Sequence, residues 1–132
     1  MPSKREIMQK IISAMLIVVG IIHILPLTGV FGVQQLSNLY GLAFTEPNLV
    51  ILMRHRAVLF GVLGVFCFYA AFRPAVQPLA FIAGFVSVVS FLWLAWSVGG
   101  YNPLVGRVVL ADLVALVCLL VATGLYWVAP KP

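Results

Sequence analysis

Charged and polar residues are nearly absent from four long stretches of this sequence, and that exclusion is its dominant pattern. The first stretch runs from about Ile11 to Val30, IISAMLIVVGIIHILPLTGV, and the second from about Leu49 to Phe72. The third covers about Pro78 to Val98 and the fourth about Leu104 to Val128. Each is close to the roughly 20 residues with which an α-helix crosses about 30 Å of hydrocarbon. The pattern therefore predicts four spanning helices.

The connections set their arrangement. Residues 31–48, FGVQQLSNLYGLAFTEPN, form the one sizeable loop. Within it Val33, Leu36, Leu39 and Tyr40 recur at helical spacing, and Gly41 supplies a left-handed stop. This predicts a short helix over Val33–Tyr40, lying in the membrane interface, before Thr45, Pro47 and Asn48 mark the entry to the second span. The remaining links, Arg73-Pro74 through Gln77-Pro78 and Gly99 through Pro103, are short enough to force antiparallel neighbours. The expected fold is all-α: a single integral-membrane domain over residues 1–132, an up-down-up-down four-helix bundle with a short interfacial helix between helices one and two. The first stretch has the basic start of a signal peptide, with Lys4, Arg5 and Lys10, but no small-x-small cleavage site follows it. It reads as a retained span, kinked at Pro26.

Composition agrees. Hydrophobic residues make up 64% of the chain and charged residues 8%, against about 25% charged in a soluble domain. A chain this short could not hide so much apolar side chain from water. The net charge of +5 comes from basic residues too scattered for a nucleic-acid site. Membrane topology explains them better: Lys4, Arg5, Lys10, Arg73 and Lys131 fall on one side, where Arg73 and Lys131 act as anchors, and the loops opposite carry one charge, Glu46. Both termini are thus expected in the cytoplasm, with Trp93, Trp96 and Tyr101 in an outer aromatic belt and Tyr126 and Trp127 in an inner one. Cys67 and Cys118 stand singly in apolar runs with no CxxC, which speaks against a disulfide-exchange machine.

Ionisable groups inside a span cost about 2.5–3.5 kcal/mol each on insertion scales and need a reason. At about 1.5 Å per residue, Arg54 and Arg56 lie on the order of 9–12 Å in from the outer edge. Asp112, past Pro103, lies on the order of 13 Å in from the same side, and His23 on the order of 8 Å or more. Three helices thus place ionisable groups at one level of the outer half. Asp112, the one acid within a span, predicts a bidentate pair with Arg54 or Arg56. These arginines stand about 200° apart around the helix, so one faces the bundle while the other snorkels or lines a cavity mouth. His55 sits between them, Arg107 is expected to snorkel, and Tyr40, Ser97, Tyr101 and Asn102 can complete a pocket rim.

Each feature also has a structural reading. The aspartate–arginine pair can simply lock helix two to helix four, and His23 can bond a carbonyl freed by Pro26. Ala57, Gly61 and Gly64 suit close helix packing, and Ser87 and Ser90 suit bonds back to their own helix.

The run LYGLAFTEPNLVILMRHRAVLFGVLGVFCFYAAFRP, from Leu39 to Pro74, resembles small bacterial four-helix proteins of the DoxX-like kind. The matching positions are the Tyr40-Gly41 turn, the Glu46-Pro47-Asn48 entry, Arg56-Ala57, Gly61, Gly64 and Arg73-Pro74, about a quarter of the chain. The resemblance implies a four-helix bundle in the bacterial cytoplasmic (inner) membrane, and some members are linked to quinone- or thiol-dependent oxidoreductase systems. His55 between two arginines has no place in that pattern, so no enzymatic role carries over.

Three functions compete. The leading one is a binding or accessory protein whose outer-half pocket holds a lipid, quinone or similar amphiphile. In it Arg54, Arg56 or Arg107 takes an anionic or carbonyl head, His23 and Tyr40 orient it, and His55 and Asp112 complete the candidate site. Such a protein works alone, as a homo-oligomer or beside a membrane partner. The second is an oxidoreductase subunit holding a b-type haem between His23 and His55, with arginines on the propionates; no other cofactor is expected. The third is a small oligomeric transporter with Asp112 as proton carrier, against which the surrounding arginines count because they keep a carboxylate ionised. A soluble-type catalytic site is not expected, for want of a second acid or a nucleophile–base pair. Metal-ligand spacing and a nucleic-acid surface are likewise missing.

Overall fold

The computed structural model of the chain describes residues 1–130 and builds them from helices joined by short turns. Lys131, assigned above as a topology anchor, lies outside the described residues. Helix α1 spans Lys4–Ile24. Its start is fixed by Ser3, whose hydroxyl accepts from the Glu6 N–H at 3.2 Å, so the charged leader belongs to the first helix. Pro26 lacks the donor an α-helix would need, and Leu25–Phe31 tighten into a 3-10 segment in place of a kinked α-helix. Helix α2, Val33–Tyr40, ends on Gly41 in the left-handed region (φ 69°). Helices α3 (Pro47–Ala71), α4 (Gln77–Val98) and α5 (Pro103–Val128) each carry proline in the first turn, where its missing N–H breaks no bond. Glu46 caps α3 by accepting from the N–H groups of Asn48 and Leu49 at 3.1 and 2.9 Å. Those bonds hold its carboxyl below the usual range.

Four segments, Lys4–Phe31, Pro47–Ala71, Pro74–Val98 and Pro103–Val128, are long and apolar enough to cross a membrane. Side-chain size is distributed as lipid requires. On α3 the buried residues are Ala57, Gly61, Gly64, Cys67, Ala70 and Ala71, while Leu52, Leu59, Val62 and Val65 face outward. On α5 Ala115, Cys118, Leu119 and Ala122 are inside, while Leu110, Val117 and Leu120 are exposed. Large groups outside cost nothing in hydrocarbon, and small ones inside let backbones approach. The chain is an all-helical, multi-pass membrane protein.

Helix α1 packs on α3 and on α5, and α4 packs on α5 and more sparingly on α3. The α1–α3 seam is backbone-close: a Cβ on Gly64 would lie 2.9 Å from the Gly20 carbonyl oxygen. Ser13 meets Ala71, Gly20 meets Gly64, Leu27 meets Gly61, and Gly29 lies beside Ala57 and Leu36. Along this seam α1 and its 3-10 extension run opposite to α3. Gly84 against Leu119 and Phe81 against Tyr126 give α4 and α5 opposite directions too. At the end that holds the chain termini, polar side chains tie three helices together. Gln77 is fully buried, donates to the Ala70 carbonyl at 3.0 Å and accepts from Gln9 at 3.0 Å. The Ser13 hydroxyl lies against the carbonyls of Gln9 and Ala71. The last carbonyls of α3, which have no partner in their own helix, are met in this way.

Two expectations follow. G64A pushes a methyl into main-chain atoms that cannot rotate away and should cost about 1–3 kcal/mol, read as a lower midpoint in detergent unfolding. G124A, with nothing within 4 Å of the added carbon, should leave the midpoint unchanged. Glu46, whose carboxyl titrates lower when folded, stabilises α3 above its unfolded value of about 4.3 and loses that contribution as pH falls through the folded one. The difference in melting temperature between wild type and E46Q should therefore shrink as pH is lowered below about 4.

Candidate functional site

The polar residues of the half away from the chain termini converge because the α1–α3 seam sets their height. His23 lies one turn beyond Gly20 and packs against Phe60, one turn before Gly64, with ring centroids 5.8 Å apart. The histidine is 1% exposed. Its Nδ1 is 2.9 Å from the Val19 carbonyl and its Nε2 is 3.0 Å from the Ser87 hydroxyl of α4. A carbonyl only accepts, so Nδ1 carries the hydrogen, and in the neutral ring Nε2 accepts from Ser87. Two expectations are corrected here. The carbonyl that His23 bonds belongs to its own preceding turn and is not one freed by Pro26. Ser87 reaches across the bundle, although Ser90 does bond back, to the Ser87 carbonyl at 3.1 Å.

Above this layer α2 forms a roof. Leu36, Tyr40 and Phe44 are buried together against Leu39, Val50, Met53, Val105 and Val108. Asn102 pins the roof: its side-chain amide donates to the Tyr40 carbonyl at 2.8 Å, while its Oδ1 accepts from the Val105 N–H and caps α5. Below the roof lies a cavity of about 240 Å³. His23, Tyr40, Arg56, Arg107 and Asp112 line it, with Asn38 and the apolar Leu39, Phe60, Leu104 and Val108.

Arg56 is held by aromatic groups. Its guanidinium donates to the Tyr40 hydroxyl at 2.7 Å and lies 4.4 Å from the centre of the Phe60 ring and 5.5 Å from that of Tyr40. Tyr40 accepts this bond and keeps its own hydroxyl hydrogen to donate. Asp112 is only 8% exposed. Among the described residues its carboxyl makes no hydrogen bond and no salt bridge, so the expected bidentate pair with Arg54 or Arg56 does not form. Arg56 acts on it electrostatically from beyond contact distance. The reason is geometric: the phenol and the Phe60 face claim Arg56, and Arg54 donates through Nε to the Val30 carbonyl at 2.9 Å, closing the end of the 3-10 segment.

Five of the seven candidate residues are thus brought together, and two are not. Arg54 and His55 are exposed on α3 and do not line the cavity, so His55 is not brought to the space that His23 borders. Arg107 is exposed yet lines the cavity mouth. Of the expected rim, Asn102 serves as roof clasp and Ser97 bonds the Leu94 carbonyl at 3.3 Å. Sequence reasoning missed Asn38 and Phe60 in the wall and Ser87 behind it. The i, i+4 spacing of Arg56 and Phe60 was the available signal, since it stacks a cation on a ring on one helix face. No family model, no curated protein and no solved structure matches this chain.

S87A leaves a buried ring nitrogen without its donor and should cost about 1–3 kcal/mol in detergent unfolding. Nitrogen-15 spectra should show His23 protonated at Nδ1 in the wild type, with the Nε2 resonance moving in S87A and recovering in S87T.

Proposed function

We propose that this protein binds the polar head of a small amphiphile, a lipid, a quinone or a similar molecule, in the cavity beneath α2, and acts as a membrane binding or accessory protein. The observation that carries this reading is the unmatched polarity of the cavity wall. Asp112 presents a carboxyl without a partner among the described residues. Arg56 has five N–H donors and one hydrogen-bond acceptor among the described residues, Tyr40. A head that offers an oxygen acceptor to Arg56 and a hydroxyl or amine donor to Asp112 answers both. Leu39, Phe60, Leu104 and Val108 supply apolar wall, as small-molecule sites generally do.

The setting belongs to the same proposal. The four helices cross the bacterial cytoplasmic membrane up-down-up-down with both termini inside, and α2 lies in the outer interface as the roof of the site. The short polar links, the basic residues at the terminal end and the opposite directions of the α1–α3 and α4–α5 pairs support that arrangement. The DoxX-like resemblance over Leu39–Pro74 is compatible with it and adds no reaction.

Protein solubilised gently should co-purify with a bound amphiphile detectable by mass spectrometry. R56Q and D112N each remove one charge-assisted contact, about 1.5–3 kcal/mol, and should lower the ligand-to-protein ratio about tenfold or more while inserting normally. Equal ligand content in wild type and both variants would sink the reading.

One observation favours a second reading. Asp112 has no salt bridge among the described residues, so no contact pins its carboxyl in the ionised form, and this favours proton-coupled transport with Asp112 as carrier. Proton flux in proteoliposomes that disappears in D112N would select it over simple binding.

A further inference from the structure

The cavity is small for an amphiphile. At about 240 Å³ it falls below the usual range of roughly 300–1,000 Å³ for ligand pockets. It accommodates a head, and the chain attached to that head must leave.

One wall is shared with a second space. Arg56 and Phe60 also line a groove of about 140 Å³ together with Leu59, Leu63 and Ser87, between α3 and α4. The stacked guanidinium and ring therefore form a partition between cavity and groove. Among the long helices that pack on one another, α3 and α4 do so most sparingly, and the groove lies on that seam. From Val89 to Val98, α4 has no buried residue. It ends on Gly99 and Gly100, both in the left-handed region (φ 69° and 68°) with nothing within 4 Å of either added carbon. The outer end of α4 is thus not packed tightly against α3, and the side chains exposed there, Leu59, Trp93 and Leu94, suit hydrocarbon.

We propose that the outer α3–α4 seam is a lateral portal: a single-chain amphiphile lays its apolar chain along Leu59 and Leu63 while its head sits past Phe60 at Arg56. This rests on the head-binding reading and adds the route and the number of chains. A groove of 140 Å³ bordered by two leucines takes one chain, and a guanidinium at its inner end takes the oxygen acceptor that begins the head.

The probe is a monoacylglycerol with a photoactivatable diazirine at mid-chain, incubated with the full-length protein in liposomes. Its head carries an ester carbonyl for Arg56 and hydroxyls for Asp112. Labelling that unlabelled monoacylglycerol competes away should map to peptides containing Leu59, Leu63 and the Phe85–Ser90 stretch. It should fall at least several-fold in L59W, a change at a lipid-facing position 55% exposed. Competable labelling that is lost in R56Q but maps to α1 and α5, or is unchanged in L59W, overturns the portal and leaves head binding standing. Labelling that no competitor displaces, or that R56Q leaves intact, overturns head binding and the portal with it. The peptide map of the wild type decides the question even if L59W inserts poorly.

Discussion

Hydrocarbon offers no hydrogen bonds, and the positions of the polar side chains in this protein follow from that constraint. Gln77 and Ser13 meet the last carbonyls of α3, Arg54 meets the carbonyl of Val30, and His23 bonds on both ring nitrogens. Arg56 exchanges water for a phenol and two aromatic faces. Among the described residues, two buried groups stand without a hydrogen-bond partner. Thr123 Oγ1 is buried without a partner, and nothing in the structure explains it. Asp112 opens onto a cavity, and that difference makes it informative.

The same solvent dictates how the site is assembled. With no hydrophobic gain from burying leucine against leucine, helices associate through close backbone approach. The approach of Gly20 to Gly64 does this for α1 and α3. Because the two run in opposite directions from that contact, residues after Gly20 meet residues before Gly64. His23 therefore finds Phe60, and Gly29 finds Ala57. Arg56 lies one turn beyond Phe60 and reaches Tyr40 under the roof. Packing far from the polar groups thus fixes the height at which they meet.

How far the sequence reveals this depends on range. The four spans, the short helix at Val33–Tyr40 and its stop at Gly41 were legible, because apolar runs and a left-handed glycine are local signals. The start of α1 was displaced because Ser3 and Glu6 cap a turn that hydropathy ignores. The 3-10 segment after Ile24 was read as a kink, since proline signals a broken ladder but not its replacement. At the site, depth counting found five lining residues, because rise per residue is fixed. It could not give azimuth. Arg54 and Arg56 sit at nearly one depth, and only the roof residue Tyr40 decides which turns inward. Opposite charges at one height suggested a salt bridge, yet Tyr40, 16 positions away in sequence, and Phe60 one turn on had prior claim on the arginine.

An arginine and an aspartate that share a cavity without touching pose a definite electrostatic question. An ionised Asp112 in a dry space would be drawn to Arg56, since attraction between opposite charges rises steeply as the dielectric falls. They stay apart because the Tyr40 hydroxyl and the Phe60 face hold Arg56. Water can serve the wall made by Asp112, Arg56 and Tyr40, because it donates and accepts. It serves the Phe60, Leu39, Leu104 and Val108 side of the same space poorly, since those groups offer it no bond. A molecule with a small hydrogen-bonding head joined to an apolar chain satisfies both sides at once. On the proposed reading, the bilayer around α3 and α4 would supply molecules of that kind at high local concentration, so modest affinity for the head would suffice.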